Sequence, residues 1–525
     1  MISQKAALVF HEIAGLFVYR LLGRAQLCLL AYAKWDERCS DRISGDFCFA
    51  IWDETRQTLL CVRDQLGVRP LFYTRAGSQW LIGDDLASVV PEPRMGCELD
   101  AFWIADFLTI GFSIDFERTV YRHIQRLPPA HVLVLSATRE AVQKYWSLDI
   151  PQPVYFREPR EYLAQFRELV SRAIADRMPS GRVGISLSGG LDSSTLAALA
   201  VKATGDPARV VAQTRYLSRL IPDNEDYFSA LVANKLGIEH ALLEADKAFL
   251  DWSWLEHTGQ APEPSLSVRN TERGKSIENE MLGSAKVWFY GEGPDNALTF
   301  EWRSYLRWLK NSRKWPELGH AAVQYFRSKK TREWLQSLRS VLPIANSKQS
   351  QFRMAVPPWL DGDLIKKVDI HRRVGRASGV STHPWRPRAM ASFNSPIWQH
   401  FFEQLDPVLA GTRLDWRHPY LDLRVLKFLL AVPPIPWGRR KLLMRQAMHG
   451  YLPAEILTRN KTPLQGEPFA AAFEETARPS LTPGQTILDF VDLARIPVNP
   501  GTPFEREALL RVYALDRWLG SHGYR

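Results

Sequence analysis

The chain has 525 residues, of which 46% are hydrophobic and 24% charged, the balance of an ordinary globular protein with material for about two to four domains at roughly 100–200 residues each. Its net charge of +10 hints at an acidic partner such as a nucleotide, a peptide or a nucleic acid, but spread over the whole length it selects none of them. No apolar run approaches the roughly 18–20 residues of a membrane-spanning helix, and no clean signal peptide opens the chain, so a cytoplasmic protein with no membrane span is expected.

From about 25 to 150 the sequence reads as short β-like pieces, "DFCFAIWD", "TLLCVRD", "PLFYTRA", "QWLIGDD" and "HVLVLSA", broken by Gly, Pro and Asp. All five cysteines (Cys28, Cys39, Cys48, Cys61 and Cys97) lie in this stretch. They are odd in number and lack close CxxC spacing, so reduced thiols are expected rather than a zinc site. A proline-rich connection, "SLDIPQPVYFREPREY", closes a first domain over residues 1–150 and opens a second over 151–525.

The second block changes period. Leu163, Phe166, Leu169, Val170, Ala173 and Ile174 recur at helical spacing until Pro179 and Gly181. A strand over 183–187, a helix over 193–203, a strand over 209–216, a helix over 224–236 and a strand over 285–290 follow. That alternation predicts a doubly wound parallel sheet with its ligand at the strand C-termini. Beyond Asp295 the chain reads mostly helical. The basic, Trp-rich segment 301–340 is expected to form amphipathic helices packed through their aromatics, with a peptide-docking surface as the competing possibility.

The stretch with the most chemistry is "VGISLSGGLDSSTLAALA", residues 183–200. Unpaired N–H groups at a helix N-terminus suit phosphate. Gly189 and Gly190 let oxygens approach the main chain, and Ser188, Ser193 and Ser194 add hydroxyls. Asp192 is out of place beside bare phosphates and so implies Mg²⁺. The chain has no GxxxxGK[ST], so this is not the usual NTPase loop.

SGGLDSS resembles the pyrophosphate-binding loop of ATP pyrophosphatases, and further stretches resemble the asparagine synthetase B superfamily. These are "DNEDYFSALVANKLGIEH", "FYGEGPDNAL", "RHPYLDLRVLKFLLAVP" and "RRKLLMRQAMHGYLPAEILTRNKTP". "ISGDFCFAIWDETRQTLLCVRDQLGVRPLFY" is similar to the late part of that family's glutaminase domain. The resemblance implies an α/β chain with an N-terminal, β-rich glutaminase-like sandwich and a C-terminal PP-loop synthetase domain carrying helical additions. It also implies use of ATP and Mg²⁺ with release of AMP and pyrophosphate.

One departure shapes the functional expectation. A working glutaminase domain of this family uses an N-terminal cysteine, whereas this sequence opens Met-Ile-Ser-Gln. The domain is therefore expected to be truncated and degenerate, with the amine coming from elsewhere. Among superfamily members this resembles the lasso peptide macrolactam synthetases. They adenylate an Asp or Glu side chain of a precursor core peptide and close it onto the N-terminal amine that a leader peptidase, working with a leader-recognition protein, exposes. A β-lactam synthetase-like cyclase is a poorer match, since that group tends to tyrosine where this chain has Glu292. The residues are also compatible with an asparagine synthetase using free ammonia, and with a nucleotide-binding scaffold without activity.

By motif, Leu187, Ser188, Gly189, Gly190, Asp192, Ser193, Ser194, Gly291 and Lys441 are expected to hold ATP and pyrophosphate, with Asp192 and Asp295 as Mg²⁺ ligands. Glu292 is the candidate general base and Lys461 the candidate stabiliser of the second transition state. Where the family has Asp-Glu this chain has Asp295-Asn296. His418 and Asp422 are read as structural.

Overall fold

The computed structural model describes residues 10–13, 16–19, 25–91, 97–221, 223–327, 355–377, 383–460, 466–476, 480–481 and 483–524. The N-terminal part is built from antiparallel strands: β1 (Phe10–Ile13), β2 (Leu16–Tyr19), β3 (Cys48–Asp53), β4 (Thr58–Arg63), β5 (Phe72–Ala76), β6 (Gln79–Gly83), β7 (Gln125–Arg126), β8 (His131–Leu135) and β9 (Glu140–Lys144). They form a six-stranded sheet, β1-β2-β3-β4-β8-β9, and a three-stranded sheet, β6-β5-β7. Strand alternation divides the side chains between two cores. Phe49, Ile51, Leu60 and Val62 pack with Leu29 and Tyr32 of helix α1 (Ala25–Trp35). Ala50, Cys61, Leu133 and Leu135 face the other way, onto Leu71 and Tyr73 of the smaller sheet. The five cysteines are free thiols; Cys28, Cys39 and Cys61 are buried.

Residue order alone does not signal α1 or helix α2 (Ala101–Ile110), the latter being buried around nearly its whole circumference and so carrying no amphipathic period.

Helix α3 (Pro159–Arg177) starts with Pro159 at its first turn and a reciprocal Glu158–Glu161 capping box. The parallel sheet follows: β10 (Val183–Ser186), helix α4 (Leu191–Thr204), β11 (Val210–Tyr216), helix α5 (Glu225–Leu236), β12 (Glu239–Glu244), helix α6 (Glu272–Ser284) and β13 (Val287–Phe289). The strand order is β12-β11-β10-β13-β14, all parallel, with β14 (Asp415–Arg417) at the far edge. Two of these strands, β12 and β14, are not signalled by the sequence, and past Asp295 β14 is the single strand among the described residues in an otherwise helical region.

From β10 the chain winds outward through β11 and β12, then returns to pair β13 on the other side of β10. The crevice between β10 and β13 is therefore the topological switch point, where α/β sheets place their ligands. Gly184 in β10 lies under the Trp288 ring of β13, and a Cβ there would come within 2.2 Å of it.

Past β13 come a short helix α7 (Pro294–Ala297), then α8 (Trp302–Asn311) and α9 (Trp315–Arg327). Their aromatics pack as expected. Trp302 lies 4.5 Å from Tyr325, and Trp308 and Tyr305 each lie 5.9 Å from the buried Trp385, centroid to centroid. The remainder of the Trp-rich segment, 328–340, falls outside the described residues. Asp422 caps helix α10 (Leu423–Ala431) through the Arg424 N–H at 3.0 Å and accepts from Arg177 at 2.8 Å. Burial pushes the His418 imidazole down to about 4, so it sits neutral among Phe401, Phe402 and Tyr290.

The two halves meet through helix α11 (Pro503–Ser521), whose Leu515 and Trp518 share a core with Phe107 and Leu108 of α2, and through buried charge. Arg126 pairs with Glu263 and with Glu403 at 3.0 Å, and Arg69 with Asp406 at 3.0 Å and Asp415 at 3.1 Å. No helix among the described residues is long and apolar enough to cross a membrane.

Gly184→Ala is expected to destabilise the fold by about 1–3 kcal/mol, the usual range for overpacking a core. Urea unfolding checks this, and a parent-like midpoint would mean that Trp288 yields without cost.

Candidate active site

Both rims of the switch-point crevice are short turns leaving adjacent strands. On one rim, Leu187 still bonds to β11: its N–H donates to Gln213 O at 2.9 Å and its carbonyl accepts from the Thr214 hydroxyl at 2.6 Å. The chain then turns through Ser188-Gly189-Gly190 into α4. Gly189 has φ +64°, and a Cβ there would lie 2.5–2.6 Å from Phe228 and the Ser229 nitrogen, so only glycine fits on both counts. The Ser188 N–H donates to the Ser193 hydroxyl at 3.1 Å, and the two hydroxyls lie 3.1 Å apart. The result is a hydroxyl-lined cradle at the positive end of α4. Ser194 is fully buried, and its hydroxyl has no partner among the described residues.

The other rim is Tyr290-Gly291-Glu292-Gly293. A Cβ on Gly291 would lie 3.2 Å from the Ser193 nitrogen, so the two turns are in contact. Ile185 pairs with both Ala212 and Phe289. Beyond those pairs β10 and β13 end at Ser186 and Phe289 and the two turns begin, while β11 runs on to Tyr216 and carries Arg215 near its C-terminal end. Glu292, in the second of these turns, is half-buried.

Asp192 on the first rim and Asp295 on the second converge on one ammonium: Lys441 Nζ is bonded to the Asp192 carboxylate and lies 2.6 Å from Asp295 Oδ1. Lys441 reaches in from a segment in which Arg440 and Lys441 both hold left-handed backbone, φ +51° and +54°. Each such residue costs about 1–2 kcal/mol, strain concentrated where the lysine is delivered. Of the residues singled out by sequence, the structure thus brings together Leu187, Ser188, Gly189, Gly190, Asp192, Ser193, Ser194, Gly291, Glu292, Asp295 and Lys441. Lys461 lies outside the described residues.

Among the described residues no cluster of three or more His, Cys, Asp or Glu marks a metal centre. Two hard carboxylates that already converge on one cationic position suit Mg²⁺, which takes one or two carboxylates and completes its shell with phosphate oxygens and water.

Three further residues shape the site and were not singled out. The Tyr420 hydroxyl donates to Asp192 O at 2.9 Å and pins the first turn of α4. Arg459 stacks on Phe228 at 3.9 Å and donates to Gly189 O at 3.4 Å. Glu225, opening α5, is pushed up to about 7 by burial and by Asp223, with Arg459 opposing.

Residues 165–522 match the asparagine synthase family model, and residues 23–146 match a glutamine amidotransferase domain model. The chain belongs to the asparagine synthase family. It is accordingly an asparagine synthetase-like, ATP-dependent ligase. Asparagine synthetase [glutamine-hydrolyzing] 3 of Bacillus subtilis is 24% identical over 83% of this chain and 70% of its own length. Amidase chyE of Penicillium rubens is 22% identical over 87% of this chain and 74% of its own. A solved NH3-dependent NAD synthetase from Campylobacter jejuni covers 43% of this chain and 98% of its own at 13% identity and a TM-score of 0.20, too loose a likeness to argue from.

Asp192→Ala is expected to abolish ATP-dependent AMP formation, read by chromatography of the nucleotide products. An unchanged AMP yield would remove the α4 turn from the site.

Proposed function

We propose that the chain makes an amide bond by way of an acyl-adenylate, and that the acyl substrate is a peptide closed onto its own N-terminal amine, as in lasso peptide macrolactam synthesis. The observation that carries this reading is a cavity of about 660 Å³. It reaches the second rim at Tyr290, two residues before Glu292, and Phe72, Trp103, Phe112, Leu217, Phe249 and Leu405 form part of its wall. Such a volume is in the range of about 300–1,000 Å³ typical of drug-sized ligands, far more than aspartate and ammonia need. A leader peptidase and a leader-recognition protein would supply the core peptide.

Catalysis then divides between the two rims. The Ser188–Ser194 turn holds the β- and γ-phosphates while a substrate carboxylate oxygen attacks the α-phosphorus and pyrophosphate leaves. Lys441 carries positive charge to the leaving group. Asp192 and Asp295 would hold Mg²⁺, which when bound draws charge onto the pyrophosphate. Glu292, on the second rim, takes the proton from the attacking amine as AMP leaves the acyl carbon, and Lys461 is assigned the charge of the second transition state. Because amine and acid belong to one molecule, orientation supplies much of the rate.

A second reading, asparagine formation with ammonia, is favoured by the Bacillus subtilis relative, a glutamine-hydrolyzing asparagine synthetase by name.

The deciding experiment incubates the protein with ATP, Mg²⁺ and a leaderless core peptide, following AMP and peptide mass together. AMP with the loss of one water from the peptide supports cyclisation, whereas AMP formed only with aspartate and ammonia supports the second reading. Glu292→Gln is expected to slow amide formation at least about 100-fold, the scale of general-base loss, while sparing pyrophosphate–ATP exchange. Equal loss of both steps would remove it as the base.

A further inference from the structure

The cavity beside the Glu292 rim is not uniformly apolar. Its end nearest the sheet holds two guanidinium groups, those of Arg215 and Arg269, with Glu278 and Tyr290. Glu278 is already bonded by the Thr412 hydroxyl. The other charges around the cavity offset one another, since Glu263 and Glu403 face Arg126 and Glu403 also lies 3.8 Å from Arg63. Burial pushes the His400 imidazole down to about 4, so it adds no charge. The sheet end therefore carries an excess of positive charge.

Neither arginine has all its donors met by protein among the described residues. Among the described residues, the hydrogen-bond acceptor that Arg215 finds is the Met281 sulfur, at 3.1 Å, a weak acceptor for a charged donor. Arg269 donates to Gln404 O at 2.9 Å, but its second terminal nitrogen is buried with no partner. In β11 the first five residues are buried and Arg215 is the one exposed position. It lines the cavity, so its open surface faces space that a ligand can fill. Protein crowds the group enough that desolvation lowers its pKa, with Tyr290 and Glu278 opposing. A guanidinium whose protein acceptor is one sulfur keeps N–H donors open toward the cavity and fits a planar, two-oxygen acid well.

We propose that Arg215 is a specificity-determining residue that anchors a carboxylate of the acyl substrate other than the one activated, so that this ligase takes peptides carrying a second free carboxylate. The inference rests on the acyl-adenylate reading. Adenylation converts the reacting carboxylate into a mixed anhydride and removes its charge. Cations tightened on that carboxylate would stabilise the ground state over the transition state and slow the step. A carboxylate that keeps its charge throughout carries no such penalty. Arg215, near the C-terminal end of β11 and beside Tyr290 of the second rim, holds it within one peptide's reach of the reacting centre.

The test is calorimetric, with ATP absent so that it does not depend on turnover. The full chain is titrated with N-acetyl-Phe-Glu, its side-chain amide, its C-terminal amide and the neutral diamide. The diacid should bind at least about tenfold more tightly than the diamide, the scale of a charge-assisted hydrogen-bonded pair. Arg215→Gln should remove that preference with ATP affinity and melting temperature unchanged, while Arg215→Lys should retain part of it. The two monoamides show whether the side chain or the chain terminus is held. A diamide that binds as tightly as the diacid, or a preference that survives Arg215→Gln, overturns the proposal. In pyrophosphate–ATP exchange driven by the diacid, Arg215→Gln should raise KM with kcat within about twofold. A loss confined to kcat would place Arg215 in the chemistry instead and overturn the anchoring role. Absence of exchange by the parent would strike the acyl-adenylate reading alone, because calorimetry still decides the anchor.

Discussion

Two carboxylates facing each other across a narrow crevice repel, and the arrangement of the synthetase half follows from how that repulsion is met. Asp192 and Asp295 leave adjacent strands on opposite sides of the switch point, and Lys441 enters between them from a segment 249 residues beyond Asp192. The sheet order places the two acids, and the tight packing of Gly184 under Trp288 and of Gly291 against Ser193 holds the rims close. The consecutive left-handed residues Arg440 and Lys441 then spend conformational energy to aim one ammonium. A cation position fixed this firmly before any ligand arrives is what preorganised phosphate chemistry requires.

Much of this was legible from residue order because local and global signals agree there. The strands β3, β4, β5, β6 and β8 are short β-prone runs bounded by turn residues, and β10 and β13 are apolar runs followed by glycine-bearing turns. SGGLDSS and GEG carry their meaning in a few adjacent residues. Edge strands lack that agreement. β12, "EHALLE", mixes charge with leucines, one of which, Leu242, stays 46% exposed, and β14 has three residues only.

The residues that sequence reasoning missed share one property: their roles exist only after folding. Tyr420 sits in a stretch whose polar neighbours, His418 and Asp422, drew attention, yet it is the tyrosine that reaches α4. Arg459 looks like one more basic residue in a basic segment until Phe228 is beneath it. Arg215 interrupts a buried strand, which is a signal in hindsight, but the cavity that gives it meaning has walls from both halves of the chain.

Arg126, 3% exposed, has its countercharges Glu263 and Glu403 in the other half, and the fully buried Asp106 is held by Arg373. Removing one member of such a buried pair costs about 3–5 kcal/mol, on the order of a domain's whole stability. Inheritance therefore treats the two halves unequally. Residues of the N-terminal half that serve only chemistry can drift one at a time, whereas excision of that half as a block would strand several charges at once. A module fastened in this way belongs to its neighbour's architecture as much as to its own chemistry.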